Sequence, residues 1–361
     1  MSAPAALKPG ATIGILGGGQ LGRMLALAAA RLGLKCHIYS PDPDSCAFDV
    51  VEHGSHKQYS DEVALEEFAR AVDVITYEFE NVPAETAAFL STRKPVLPDP
   101  NVLALTQDRL VEKNFIADLK IPTALYAAVG SDEELEAAVK AIGLPAVMKT
   151  RRLGYDGKGQ QMIGRDGDPV AAWDALGRAP CILEGFIAYE REVSVVAARG
   201  HDGQVASFDV TENEHRDHIL KISRAPAPIP LALAAEAREI AEKIATAFGY
   251  VGVLAVEMFV VPNGNAPKIL VNEIAPRVHN SGHWTIDGCS VSQFEQHIRA
   301  VAGWPLAEPI RRGRVEMTNL IGPEVHDLAR WLETPGANLH LYGKVGALPG
   351  RKMGHVTRIF P

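Results

Sequence analysis

The chain has 361 residues, which at about 100–200 residues per domain leaves room for two or three domains. Hydrophobic residues are 47% and charged residues 22%, an ordinary globular balance that argues against disorder. With 36 basic and 44 acidic residues, the net charge of −8 disfavours nucleic acid or an anionic membrane as the main partner, yet allows local basic pockets for phosphates.

The first residues lack the charged start and apolar core of a secretory leader. No uncharged apolar run reaches the roughly 18 residues of a membrane span. Cys36, Cys46, Cys181 and Cys289 are scattered and form no CxxC pair, so they read as reduced thiols of a cytoplasmic protein.

Residues 12–16 read as a strand, and Leu21, Met24, Leu25, Ala28 and Leu32 then fall at helical spacing. Residues 35–39 and 72–77 read as further strands. Such alternation implies a mostly parallel α/β sheet, and the prolines at 95, 98 and 100 close this unit. A helix over 101–119 follows, then a strand at 123–127, a helix at 132–142 and a strand at 145–150. Beyond them, residues 181–187, 192–199 and 204–210 read as short strands of one antiparallel sheet. A helix carries Leu233, Ala237, Ile240, Ile244 and Phe248 on one face. Two strands flank Pro262, Asn263, Gly264 and Asn265, a hairpin signal. From Trp304 onward the chain reads as a small β-rich unit. The expected domains are 1–100, 101–303 with a flap at about 123–185, and 304–361.

Four stretches carry chemistry. The first, GILGGGQLGRM, places GxGxxG at Gly17, Gly19 and Gly22 between a strand and a helix. Glycines let a backbone approach a phosphate, and a helix N-terminus offers free N–H groups. A nicotinamide site also wants an acid ending the second strand, but that strand ends Ile38, Tyr39, Ser40, Pro41. A tight turn kept for packing, a single phosphate or ribonucleotide, and a dinucleotide all remain open. The second stretch delivers Lys149, Arg151 and Arg152 from a strand into Gly154, Tyr155, Asp156, Gly157, Lys158, Gly159 and Gln160. Several glycines among several cations fit a flap over a polyphosphate, or a solvated hairpin with a charged tip. Asp156 there is either an ion-pair partner or a positioned base.

The third stretch is a pair of strands in which Glu257 and Glu273 lie on the same face. A hairpin centred on Asn265 sets them directly opposite, and one centred on Gly264 leaves them diagonal. Like charges about 4.5–5.5 Å apart at Cβ repel, and Mg²⁺ would reverse the sign. Two exposed glutamates on a solvated face are the alternative, which the apolar same-face neighbours oppose. Asn272 adds an oxygen, although strand alternation aims it away unless the strand is ending. The fourth stretch leaves this strand at once: Arg277, His279, Asn280, Ser281 and His283 are too many anion-binding side chains for an idle turn.

Taken in order, these pieces resemble the ATP-grasp ligases. GILGGGQLGRM, YEFENV at 77–82, GYDGKGQ at 154–160, NEIAPRVHNSGHWT at 272–285 and YGK…GRKMGH at 342–355 narrow the resemblance to the 5-(carboxyamino)imidazole ribonucleotide synthases. It spans nearly the whole chain. The resemblance implies an α/β ATP-grasp fold with a Rossmann-like first domain and a small β-rich close. It also implies ATP- and bicarbonate-dependent carboxylation of aminoimidazole ribonucleotide in purine biosynthesis, by a cytoplasmic homodimer. By the same likeness Arg109, Lys149, the flap from 154 to 160, Glu184, Gly185, Phe186, Ile187, Glu192, His215, Asn272 and Glu273 contact ATP. Glu257 and Glu273 hold Mg²⁺, and Gln20, Leu21, Glu78, Lys344 and Arg351 contact the ribonucleotide. Arg277 and His279 are suited to bicarbonate, and Asp156 to accepting the amine proton. The rivals are a ligase for another ribonucleotide amine, a nicotinamide-dependent oxidoreductase, and a non-catalytic nucleotide-binding regulator.

Overall fold

The computed structural model describes residues 6–154, 157–264 and 266–361. The chain opens β1 (Thr12–Leu16), α1 (Gln20–Arg31), β2 (Lys35–Ser40), β3 (His53–His56), α2 (Glu62–Arg70), β4 (Val74–Tyr77) and α3 (Ala84–Ser91). The four strands form a parallel sheet in the order β3-β2-β1-β4. β1 and β4 are almost wholly buried, as parallel strands covered on both faces must be. Val96, amid the closing prolines, adds one parallel bridge to Ile75.

The helix expected over 101–119 is two helices, α4 (Pro100–Thr106) and α5 (Arg109–Asp118). Asp108 breaks it: its carboxylate accepts the N–H groups of Leu110 and Val111 and so caps α5 as a new start. Next come β5 (Tyr126–Val129), α6 (Asp132–Ile142), β6 (Ala146–Thr150), β7 (Gln160–Ile163), α7 (Pro169–Ala175) and β8 (Cys181–Gly185). Ser131 caps α6 ahead of three acidic residues, and Gly143, at φ 78°, ends it. These strands make a small sheet in the order β5-β8-β6-β7. The run at 181–187 therefore belongs to this flap-side sheet and not with the strands that follow it. The strand expected at 123–127 begins later, at Tyr126.

The large sheet contains β9 (Arg191–Arg199), β10 (Val205–Ser207), β11 (Thr211–Arg216) and β12 (Ile219–Ala225). After α8 (Leu231–Ala247) it gains β13 (Gly252–Val261) and β14 (Lys268–Ala275). After α9 (Thr285–Gly288) and α10 (Gln293–Val301) it gains β15 (Arg314–Ile321) and, past α11 (Leu328–Leu332), β16 (Ala337–Leu341) and β17 (Lys352–Phe360). Its order is β14-β13-β9-β11-β12-β15-β17-β16, with β10 on β9. The strands after residue 304 thus extend the large sheet through the β12–β15 pairing and form no sheet of their own. α8 lays Leu233, Ala237, Ile240 and Ile244 on this sheet. All four cysteines are buried and unpaired, and among the described residues no helix is long and apolar enough to cross a membrane.

One buried histidine ties the first sheet to the large one. His297 on α10 receives the Val253 N–H at Nδ1 (3.1 Å) and contacts Thr76 Oγ1 of β4 through Nε2 (2.8 Å). Because a backbone N–H can only donate, Nδ1 holds a lone pair, and the ring is neutral with its proton on Nε2. Burial pushes His297 down from 6.5 to about 3. Between those values the unfolded chain binds a proton that the native state refuses, so this contribution to stability is present above pH 6.5 and is lost as the pH falls. His297→Gln should flatten that slope. Between pH 7 and 5 the native protein should lose about 2 kcal/mol more unfolding free energy than the variant, read by urea denaturation. Equal slopes would remove His297 from the account.

Candidate active site

The glycine loop between β1 and α1 meets a carboxylate. Glu78, just past β4, is buried, and its two oxygens accept the N–H groups of Gly19 (2.9 Å) and Gly22 (3.2 Å). Gly17 has φ 103°, and a Cβ there would sit 2.6 Å from Glu78 Oε1, so glycine is required twice over. The loop N–H groups that could cradle a phosphate are therefore occupied by this chain's own acid, which speaks against a dinucleotide at that point. Burial raises the Glu78 carboxyl, while the two loop N–H groups, Arg277 and Lys344 pull it back toward ionisation.

Outside this loop lies a cleft of about 240 Å³ that takes in Gln20, Glu78, Lys344 and Arg351, with Ser45, Cys46 and Tyr59 among its walls. Four of the five residues that the resemblance assigns to the ribonucleotide thus share one cleft. The fifth, Leu21, turns its side chain into the core under α1. Burial lowers Lys344 to about 8, Arg351 adds to the lowering, and Cys46 and Glu78 oppose it. The Arg351 guanidinium bonds the carbonyls of Val345 and Gly346 in its own loop.

A second group surrounds the strands of the large sheet. Glu257 and Glu273 are register partners across β13 and β14, but by a route that no simple hairpin centre supplies. Val261 faces Lys268 and Met258 faces Val271, a register that would set Glu257 against Asn272. A bulge at Asn272 adds one residue to β14 and brings Glu273 opposite instead. Asn272 then lines the same small cavity as Glu192, His215 and Glu257. Asn265, the supposed hairpin centre, lies outside the described residues.

Nitrogen donors meet each of these acids. Arg109 bonds Glu273 (2.8 Å) and the Gly154 carbonyl (3.3 Å). Burial works to raise Glu273, but Arg109, then Lys149, hold it well below the usual carboxylate range. His279 Nε2 lies 3.1 Å from Glu257. His215 Nδ1 lies 2.5 Å from Glu192, which also takes the Tyr189 hydroxyl. Burial disfavours the charged form of His215, yet the Glu192 carboxylate raises it on balance. Lys149, arriving on β6, bonds Glu184 of β8 at 2.8 Å. Gly185 and Phe186 follow with backbone bonds to Leu125 and Pro145, and Phe186 stays exposed. Ile187 is half-buried. In the flap Gly157 and Gly159 adopt positive φ, Gly159 closes on Thr150, and Gln160 pairs with Lys149. Gly154 lies against Arg109. Lys158 also makes a polar or electrostatic contact. Tyr155 and Asp156 lie outside the described residues.

Arg277 joins the two groups. It pairs with Glu80 (2.6 Å), and although burial disfavours its charge, Glu80, Glu78 and Glu257 all favour it. Glu80 was missed in the sequence, although it follows Glu78 at the spacing that repeats a strand face. Also missed were Glu112 and Lys113, both buried. Lys113 reaches Thr123 (2.8 Å) and lies 3.7 Å from Glu184, and Glu112 accepts the Ile274 N–H. Their signal was present: they stand four and three residues before buried Ile116, charges on the apolar face of α5. Asp108 grips Arg151 through both oxygens.

Comparison with known proteins now bears on this geometry. Residues 10–107 match the ribonucleotide synthetase preATP-grasp domain, 114–294 the ATP-grasp domain, and 316–361 the phosphoribosylaminoimidazole carboxylase C-terminal domain. The N5-carboxyaminoimidazole ribonucleotide synthase of Brucella melitensis is 51% identical over 357 residues, covering 98% of each chain. The chain belongs to the N5-carboxyaminoimidazole ribonucleotide synthase family. It is accordingly an ATP-grasp ligase of purine biosynthesis. A crystal structure of a synthase of this family in its ADP complex superposes with a TM-score of 0.94 at 40% identity, over 98% of this chain and 94% of that one. The synthase of Aspergillus clavatus with ADP and 5-aminoimidazole ribonucleotide gives 0.88 at 30% identity, again over 98% and 94%.

The Glu78 clamp is open to test. Gln keeps one acceptor but turns an amide toward the second loop N–H. Glu78→Gln should therefore cost about 1.5–3 kcal/mol in urea unfolding and speed hydrogen exchange at the Gly19 and Gly22 amides. Unchanged exchange at both amides would mean that something other than Glu78 holds the loop.

Proposed function

We propose that this synthase phosphorylates bicarbonate with ATP beside Glu257 and Glu273, and carboxylates the amine of aminoimidazole ribonucleotide held in the Glu78–Lys344 cleft. The observation that carries the reading is the segment from Arg277 to His279. One end pairs with Glu80, two residues beyond Glu78 of the cleft, and the other meets Glu257 at the carboxylate pair. An acid substrate bound between them would face both halves of the reaction.

Mg²⁺ suits the carboxylate pair. Glu257, Glu273 and the Asn272 amide are hard oxygen donors, and Glu273 is held ionised. Among the described residues no group of three or more acids, histidines or cysteines could cage a metal. Mg²⁺ takes one or two carboxylates and completes its shell with water and phosphate. When bound it would neutralise charge on the transferring phosphoryl group.

The chain's own residues do the rest. Lys149 and Arg109 present fixed positive charge to the polyphosphate, Glu184 to Ile187 and Phe186 receive the base, and the flap glycines let the backbone close over it and exclude water. An oxygen of bicarbonate attacks the γ-phosphorus, ADP leaves, and carboxyphosphate remains against Arg277 and His279. The amine nitrogen then attacks the carboxyl carbon, either of carboxyphosphate, with phosphate leaving from that carbon, or of the CO₂ that remains once carboxyphosphate has released phosphate, and the nitrogen gives up a proton. Asp156 is the proposed acceptor on the strength of its place in the GYDGKGQ run alone. Lys344 and Arg351 bind the ribonucleotide phosphate. A cytoplasmic homodimer is proposed on family likeness. The deciding assay is ADP release with bicarbonate, with and without aminoimidazole ribonucleotide; release independent of both would sink the proposal.

Glu273→Gln should retain its circular dichroism yet lose turnover by about 100-fold or more, because a charged ligand beside the phosphoryl group is gone. Near-normal turnover would remove the metal role. Lys344 adds a pH signature. With its ammonium lowered to about 8, it is charged at pH 7 and largely neutral at pH 9. The apparent KM for the ribonucleotide should rise across that interval by about tenfold while the KM for ATP stays level. In Lys344→Arg the rise should vanish. The same rise in that variant would place the titrating group elsewhere.

A further inference from the structure

A buried row of polar side chains runs through the large sheet and ends on His279. Ser223 on β12 donates its hydroxyl to Asn213 Oδ1 on β11 (2.8 Å). The Asn213 amide donates to Ser194 Oγ on β9 (2.9 Å), and Ser194 donates to Ser281 Oγ (2.8 Å). The Ser281 hydroxyl lies 2.9 Å from His279 Nδ1, and the Ser281 backbone N–H reaches the same nitrogen at 3.3 Å. Ser194, Ser223 and Ser281 have no exposed surface, and Asn213 is 8% exposed. On its other side the His279 ring presents Nε2 to Glu257 at 3.1 Å.

The row has a direction. A backbone N–H can only donate, so His279 Nδ1 must offer a lone pair. The Ser281 hydroxyl is then free to donate to that nitrogen as well, because its own lone pair is taken up by the Ser194 hydroxyl. Ser194 can donate because Asn213 donates to it, and the Asn213 amide is oriented by Ser223. Every link passes its hydrogen toward His279. A neutral imidazole that accepts at Nδ1 carries its one proton on Nε2, the nitrogen that faces the carboxylate pair.

We propose that Ser194, Asn213 and Ser281 are positioning residues that lock His279 in the Nε2–H tautomer, so that it meets Glu257, and the acid substrate bound beside it, as a hydrogen-bond donor and not as a base. This rests on the placement of bicarbonate beside His279 given above. The chemistry follows from the direction of the bonds. A donor at Nε2 stabilises the negative oxygens of bicarbonate and carboxyphosphate, whereas the opposite tautomer would turn a lone pair on them and repel them. The amine proton must then leave to another acceptor. The row also costs little to keep, since each buried polar atom in it is satisfied by the next.

The test is a long-range ¹H–¹⁵N correlation spectrum of ¹⁵N-histidine enzyme, with the His279 signals assigned by their loss in His279→Gln. The native enzyme should show His279 as the neutral Nε2–H form. Ser281→Ala should shift it toward a mixture and lower bicarbonate-dependent ADP release by about tenfold, with the KM for ATP unchanged. Ser194→Ala, one link further away, should do the same more weakly and serves if the first variant fails to fold. A native ring protonated at Nδ1, or a tautomer and rate unmoved in both variants, overturns the proposal. Full activity in His279→Gln would instead defeat the placement of bicarbonate beside His279, whatever the tautomer.

Discussion

Two carboxylates facing each other on neighbouring strands are the constraint around which this molecule is built. Glu257 and Glu273 are direct partners across β13 and β14, and like charges so placed repel. The surroundings answer that repulsion one acid at a time. Arg109 is brought to Glu273 by the start of α5, and that start exists because Asp108 caps it. His279 is brought to Glu257 by the loop that leaves β14. The cap and the broken helix place a cation on Glu273, and the polar loop places a hydrogen-bond donor on Glu257.

The same economy appears at the glycine loop. Helix N-termini attract anions, and here the anion is Glu78 from the end of β4. The first domain keeps the outline of a dinucleotide fold while its phosphate cradle is filled internally. The cations of the cleft stand on its other wall, where Lys344 and Arg351 arrive on the loop between β16 and β17 of the large sheet. The cleft is therefore made by two sheets, and α1 packed against α10 holds those sheets together. Residues from both ends of the chain, Gln20 and Glu78 with Lys344 and Arg351, share one cleft through this contact.

Much of this could be read from the chain alone. Period-two alternation put Glu257 and Glu273 on one face, and alternation of strand and helix gave the parallel first sheet, since both follow from backbone geometry over a few residues. The motif residues from Gln20 to Arg351 were named through the family resemblance, which the order of the motifs carries. Local signals also misled where a side chain does something non-local. The break at Asp108 is invisible to helical periodicity because the residue caps and grips Arg151 at once.

What only the tertiary structure decided is where charges meet. The bulge at Asn272 follows no residue preference in the strand itself; it arises where the hairpin register must yield to bring two acids together, and no sequence period records it. Glu80 finds Arg277, Lys113 finds Glu184, and Ser194 finds Ser281, across gaps of 197, 71 and 87 residues. Serines and an asparagine spread over three strands look ordinary in a row of letters. They become a directed path to His279 only when the sheet stacks them within hydrogen-bond reach, because hydrogen bonding depends on distances of about 3 Å that chain order does not carry.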